Sequence, residues 1–183
     1  MTNYRRALIP SGTFFFTVVT HQRRAILTSE LVRQSLRESI RQVRRSRPFA
    51  IDAIVLLPDH LHCVWTLLTG DADFSTRWRQ IKSLFTRSYL AAGGRETAAS
   101  VSRDLKGERG IWQRRFYEHT VRDERDLKRC IDYLHINPVK HGVVERTCDW
   151  SWSSFHRYVQ LGEYDADWGG SDEWYGDEWK RFE

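Results

Sequence analysis

The chain holds no apolar run approaching the ~20 residues of a membrane-spanning helix. Its opening, Met1-Thr2-Asn3-Tyr4-Arg5-Arg6, leads into no apolar stretch with a cleavage site, so secretion is not expected. Cysteine is scarce: Cys63, Cys130 and Cys148 are odd in number, widely spaced and form no CxxC pair. That pattern offers no disulfide framework and fits free thiols in a reducing cytoplasm. Lysine is scarce too. Only five of the 29 basic residues are lysine and the other 24 are arginine, whose planar fork suits bidentate phosphate contact.

What is present is enough for one domain, or one domain with a tail. Over 183 residues, 40% hydrophobic and 13% aromatic content can bury a core, which excludes wholesale disorder. Charge is segregated along the chain. Residues 1–50 carry ten Arg against Glu30 and Glu38, whereas residues 149–183 carry nine acids against Arg157, Lys180 and Arg181. A basic body with an acidic, Trp-rich end implies a polyanion-binding surface. An arginine-rich but merely solvated surface is the alternative on charge alone.

Residues 13–20 are β-branched and aromatic and read as a strand. From Ser29 to Arg47, Val32, Leu36, Ile40 and Val43 recur at helical spacing, and Pro48 follows. Ala50–Leu57 and His60–Leu67 form an antiparallel hairpin about Pro58-Asp59. A second helix spans Ser75–Leu90 with Trp78, Ile81, Phe85 and Tyr89 as its apolar stripe, and Ala91–Gly110 reads as a mobile loop. Ile111–Val121 is the fourth strand. A third helix capped by Asp123 is expected to end at Pro138, and a short helix lies near Ser153–Leu161. The order β-α-β-β-α-β-α predicts an α+β, ferredoxin-like (RRM-like) sandwich: an antiparallel sheet with helices on one face and the third helix near the other. Residues 1–162 form the domain and 163–183 an acidic aromatic tail, disordered or regulatory.

Chemistry is concentrated at two places. His60 and His62 alternate with Leu61, so they project from one strand face about 7 Å apart, where they can ligate one divalent metal or grip one phosphate. Alone, the pattern is weak and fits two exposed strand histidines better. Tyr133 and Asn137, at i and i+4, share one face of the third helix beside the core stripe Leu127, Ile131 and Leu134. Asn supplies a neutral oxygen for a hard cation and Tyr a phenol within reach of its cargo. Tyr117, in Phe116-Tyr117-Glu118-His119, is the rival nucleophile, but nothing at its spacing supplies an oxygen ligand.

His60-Leu61-His62, followed by Asp132-Tyr133-Leu-His-Ile-Asn137-Pro-Val-Lys-His-Gly142, resembles the single-tyrosine HUH transposases of the IS200 type. Trp112-Gln-Arg-Arg-Phe116 and Tyr4-Arg5-Arg6 resemble its REP-associated tyrosine transposases in particular, and the likeness covers residues 4–160. The resemblance implies Mg²⁺ or Mn²⁺ held by His60, His62 and Asn137. It also implies attack by Tyr133 on single-stranded DNA, leaving a 5′-phosphotyrosine and a free 3′-hydroxyl. A free phenol has a pKa of about 10, so nearby positive charge helps it; Lys140 and His141 lie close in sequence. Tyr4, Arg5, Arg6, Gln113, Arg114, Arg115, Lys140 and His141 are the expected DNA contacts. Arg23, Arg24, Arg37, Arg41, Arg44 and Arg45 are further phosphate candidates, and Tyr4, Trp78 and Trp112 candidate stacking platforms. The implied partner is single-stranded or hairpin DNA, the expected state a monomer with a homodimer as the alternative. A non-catalytic nucleic-acid-binding module and a nuclease using water are the rival functions.

Overall fold

Strand β1 (Thr13–Val19) owes its place at the sheet's centre to its composition, three phenylalanines and two valines between threonines. Around it, the computed structural model describes residues 10–98 and 101–170. Tyr4, Arg5, Arg6 and the tail beyond residue 170 lie outside the described residues. After β1 come α1 (Glu30–Ser46), β2 (Phe49–Leu56), β3 (His60–Leu67), α2 (Phe74–Ala91), α3 (Val101–Asp104), β4 (Tyr117–Thr120), α4 (Glu124–Lys140) and α5 (Phe155–Gln160). The sheet order is β2-β3-β1-β4, every pairing antiparallel, which is the ferredoxin-like arrangement.

Period-2 alternation divides β1 and β3 between two cores. Phe14, Phe16, Leu61, Cys63 and Trp65 face one way, against Val32, Leu36 and Val43 of α1 and Phe74, Trp78 and Phe85 of α2. Phe15 and Val64 face the other way, with Ala53 and Val55 of β2, and pack against Cys130, Ile131, Tyr133 and Leu134 of α4. Helix α4 thus lies on the sheet face opposite α1 and α2. Across the β1–β3 ladder, Thr17 is opposite His62 and Val19 opposite His60. No helix among the described residues is long and apolar enough to cross a membrane.

Three local expectations change. Pro138 does not end α4; it sits in the last turn at the cost of the backbone hydrogen bond its missing N–H would have made to Leu134 O, and the helix runs on to Lys140. Gly142, at φ +63°, ends it: its N–H donates to Val139 O at 2.9 Å and the Val143 N–H to Pro138 O at 2.9 Å, a Schellman closure. The fourth strand shrinks to Tyr117–Thr120, because only these residues pair with β1, while Trp112 forms an isolated bridge to Thr20. The described residues of the stretch 91–110 hold local structure where a plain loop was expected. Thr97 bridges Gly110, α3 lies within it, and buried Arg103 donates to the carbonyl of Trp112.

The start of the compositional tail is packed. Tyr164 hydrogen-bonds Asp132, Trp168 stacks on Phe155, and Thr147 Oγ1 donates to Gly169 O at 2.8 Å.

Candidate active site

The β2–β3 turn brings Asp59 beside the first histidine. Asp59 Oδ1 lies 2.6 Å from His60 Nδ1. Burial opposes ionisation of Asp59, but the hydrogen bonds and charges of His60 and Arg23 outweigh it and hold its carboxyl at about 2. An ionised carboxylate only accepts, so His60 donates from Nδ1 and turns its Nε2 towards the site. That Nε2 lies 3.4 Å from Asn137 Oδ1.

His62 is held by its cross-strand neighbour: its Nδ1 is 2.9 Å from Thr17 Oγ1. Its Nε2 is buried and has no hydrogen-bond partner among the described residues. Burial, then the neighbouring His60, hold the His62 pKa well below the ordinary imidazole range, so the ring is neutral. Two imidazoles with their Nδ1 atoms occupied converge with the Asn137 amide into a set of two nitrogen donors and one oxygen donor. Such a set can surround a cation, and a hydrogen-bonded partner behind each ring is how metal-ligating histidines are oriented. The residues present therefore fit a divalent metal.

The nucleophile candidate arrives from α4. Asp123 caps that helix by accepting from Asp126 N–H at 2.8 Å, and Glu124 and Asp126 favour its positive end. Tyr133, Asn137 and Lys140 follow on one face. The Tyr133 ring lies 5.3 Å from the His62 ring and 5.8 Å from Phe15, and is 1% exposed. Lys140 Nζ donates to Tyr133 Oη at 3.3 Å. His141 stands at the rim with its ring 5.0 Å from His60; partial desolvation, His60 and Lys140 all depress its pKa. His60, His62, Tyr133, Asn137, Lys140 and His141 are thus brought together.

The other candidates lie elsewhere. Tyr117 is two strands from His62, opposite Thr17 in the β1–β4 ladder, whereas Tyr133 packs on the His62 ring itself. Gln113, Arg114 and Arg115 occupy the segment leading away from the end of β1. There Gln113 N–H donates to Val19 O, and exposed Arg114 pairs with Glu108. Trp78 and Trp112 are 1% and 6% exposed and belong to the core, so neither offers a face to a base. On α1, Glu38 pairs with both Arg41 and Arg45. His135 points away from the site, to Ser154 Oγ at 2.9 Å.

A second set of ligand atoms, on His119, Asp126 and Cys130, lies within 4.8 Å. Asp126 Oδ2 already accepts from His119 Nε2 at 2.8 Å and from Arg122 N–H at 3.1 Å, which pins the β4–α4 turn. A buried thiol suits softer ions than Mg²⁺ or Mn²⁺. The imidazole pair with Asn137 offers the harder donor set of the two.

Sequence reading missed Thr17 and Asp59. Asp59 has a local signal, an acid directly before the His-x-His; Thr17 has none, since its role depends on strand register.

Comparison with known proteins agrees with this geometry. The family of IS200-like transposases matches residues 11–137. A REP-associated tyrosine transposase of Escherichia coli (strain K12) is 46% identical over 171 residues, 93% of this chain and 92% of its own. A Haemophilus influenzae (strain ATCC 51907 / DSM 11121 / KW20 / Rd) relative is 40% identical over 93% of this chain and 95% of its own. The solved structure of a REP-associated tyrosine transposase bound to a REP hairpin superposes with a TM-score of 0.78 at 44% identity, covering 96% of each chain. With a shared sheet, a shared sequence over nearly its whole length and a tyrosine beside paired imidazoles, the chain belongs to the IS200-like tyrosine transposases, a family of enzymes.

Proposed function

We propose that this protein is a metal-dependent single-stranded DNA endonuclease and strand transferase that acts on REP-type hairpins through a 5′-phosphotyrosine on Tyr133. The carrying observation is the Tyr133 ring 5.3 Å from His62, on the helix face of Asn137 and in the same chain as both imidazoles. A site complete within one chain also supports a working monomer. The relatives' names, and the hairpin bound to one of them, support the substrate. The enzyme would work in the bacterial cytoplasm, at the nucleoid.

His60, His62 and Asn137 would hold one Mg²⁺ or Mn²⁺, which when bound polarises the scissile phosphate and offsets its charge. Two nitrogen donors suit Mn²⁺ better than Mg²⁺, which prefers an all-oxygen shell. The remaining work falls to the chain. Tyr133 Oη forms a bond to phosphorus as the bond from phosphorus to the 3′ oxygen breaks; the phenol gives up its proton and the 3′ oxygen takes one. Lys140, donating to Oη, counters negative charge on it. The phosphotyrosine retains the phosphodiester bond, so a second strand's 3′-hydroxyl can resolve it by attacking phosphorus as the Tyr133 oxygen leaves.

The test uses 5′- and 3′-labelled hairpin oligonucleotides with Mn²⁺ or Mg²⁺. An SDS-resistant adduct on the fragment 3′ to the cut is expected, absent in Tyr133→Phe and in EDTA. Cleavage that survives Tyr133→Phe would mean a water-using nuclease. Binding without cleavage would mean a binding module.

A further inference from the structure

Between β4 and the first turns of α4, three side chains of different chemistry meet. Asp126 and Cys130 stand at i and i+4 on α4, so they share one helix face. His119 comes from β4, opposite Phe15 in the β1–β4 ladder. Strand alternation turns His119 to the sheet face on which Phe15 packs with Cys130. One ligand atom from each of the three lies within 4.8 Å of the other two.

This donor set differs in kind from the catalytic one. Zinc takes imidazole nitrogen, carboxylate oxygen and thiolate sulfur together, whereas Mg²⁺ and Mn²⁺ prefer oxygen. Charge balances as well. Zn²⁺ with one carboxylate, one thiolate and a neutral imidazole sums to zero, so the ion can sit among buried groups without an uncompensated charge. Cys130 is fully buried and Asp126 nearly so, which makes that balance a requirement.

Without an ion the same atoms settle into a hydrogen-bonded pair, with His119 Nε2 2.8 Å from Asp126 Oδ2. Ligand atoms on one tetrahedral zinc stand about 3.5 Å apart, so the pair opens and the thiol closes by about 1 Å. The Arg122 guanidinium reaches Oδ2 at 3.3 Å, but its side chain is 66% exposed and can release to solvent. The Arg122 N–H, 3.1 Å from the same oxygen, gives the carboxylate the hydrogen-bonded support usual for a ligand.

We propose that His119, Asp126 and Cys130 form a zinc site separate from the His60–His62–Asn137 set, with water in the fourth position. As the Sγ–Zn bond forms, the Cys130 thiol releases its proton to solvent. His119 ligates as a neutral ring through Nε2, its one proton on Nδ1. Tyr133 follows Cys130 by three residues, so the ion ties β4 to α4 one turn before the nucleophile.

Cobalt substitution tests the site, because a cysteine ligand gives a near-ultraviolet sulfur-to-cobalt charge-transfer band and the catalytic set contains no sulfur. Reduced, metal-free full-length protein titrated with Co²⁺ is expected to develop that band, and Zn²⁺ should erase it by displacement. His60→Ala/His62→Ala and Cys148→Ser should both keep the band; Cys63 faces the opposite core. Cys130→Ser should abolish it. His119→Gln, which retains a donor for Asp126, should weaken Zn²⁺ binding at least about 100-fold, since losing only a ligand's hydrogen-bonded partner costs about 10- to 100-fold. No band in the wild type, a band that survives Cys130→Ser, or wild-type Zn²⁺ affinity in His119→Gln overturns the site. Because the band reports sulfur alone, these outcomes are independent of whether Tyr133 forms a DNA adduct.

Discussion

Thr17 Oγ1 and His62 Nδ1, from adjacent strands, lie 2.9 Å apart, and that contact decides which nitrogen of His62 faces the site. Thr17→Val keeps the shape and the β-branch while removing the oxygen. Its expected effect is a 10- to 100-fold loss of Mn²⁺ affinity by calorimetric titration, the usual cost of removing a ligand's hydrogen-bonded support. Unchanged affinity would mean that the ring is held by packing alone.

Lys140 separates chemistry from binding. Its Nζ donates to the oxygen that changes charge during attack, at 3.3 Å, and stands 4.9 Å from the centre of the same ring. Lys140→Met is expected to slow single-turnover adduct formation about 100-fold, in line with losing one donor aimed at developing charge. DNA affinity should change by less than about threefold. A large affinity loss with a normal rate would make Lys140 a phosphate anchor.

Gly169 tests whether residues 163–170 belong to the folded body. It sits at φ +81°, and an added Cβ would meet Thr147 Oγ1 and come within 2.8 Å of Ile136 Cδ1, on the residue before Asn137. Both strain and crowding follow, so Gly169→Ala should cost about 1–3 kcal/mol in urea unfolding. A neutral result would mean that this segment does not brace α4.

His135 makes stability depend on pH. Burial, with Arg157 and other nearby cations adding, pushes its pKa down to about 3. The unfolded chain takes up a proton near pH 6.5 that the folded one refuses. Stability is therefore full above pH ~6.5 and falls as pH drops towards 3, by up to ~1.4 kcal/mol per unit. His135→Gln, which retains a donor for Ser154, should flatten that slope between pH 6 and 4 in EDTA. An unchanged slope would place the titration elsewhere, for example at His62.

What the sequence disclosed follows from the range of the interactions involved. His60 and His62 on one strand face, and Tyr133 with Asn137 on one helix face, are fixed by periods of 2 and 3.6 and need no knowledge of the fold. Helix ends and strand lengths were less visible. Pro138 is punctuation only in isolation, and the Gly142 closure that actually ends α4 depends on two carbonyls from the last turn. The fourth strand was overextended because Ile111 and Trp112 are apolar for the sake of the α1–α2 core, not for β pairing. Thr17 and the placement of Trp112 became visible only with tertiary register.

The covalent residue itself can be read directly. After incubation with Mn²⁺ and a hairpin oligonucleotide, nuclease and trypsin digestion should leave a 5′-linked nucleotide on one peptide, located by mass spectrometry. The expected carrier is Cys130–Lys140, modified at Tyr133. Modification at Tyr117 instead, or unmodified peptides alongside cleaved DNA, would contradict a tyrosine poised beside the His60–His62–Asn137 site.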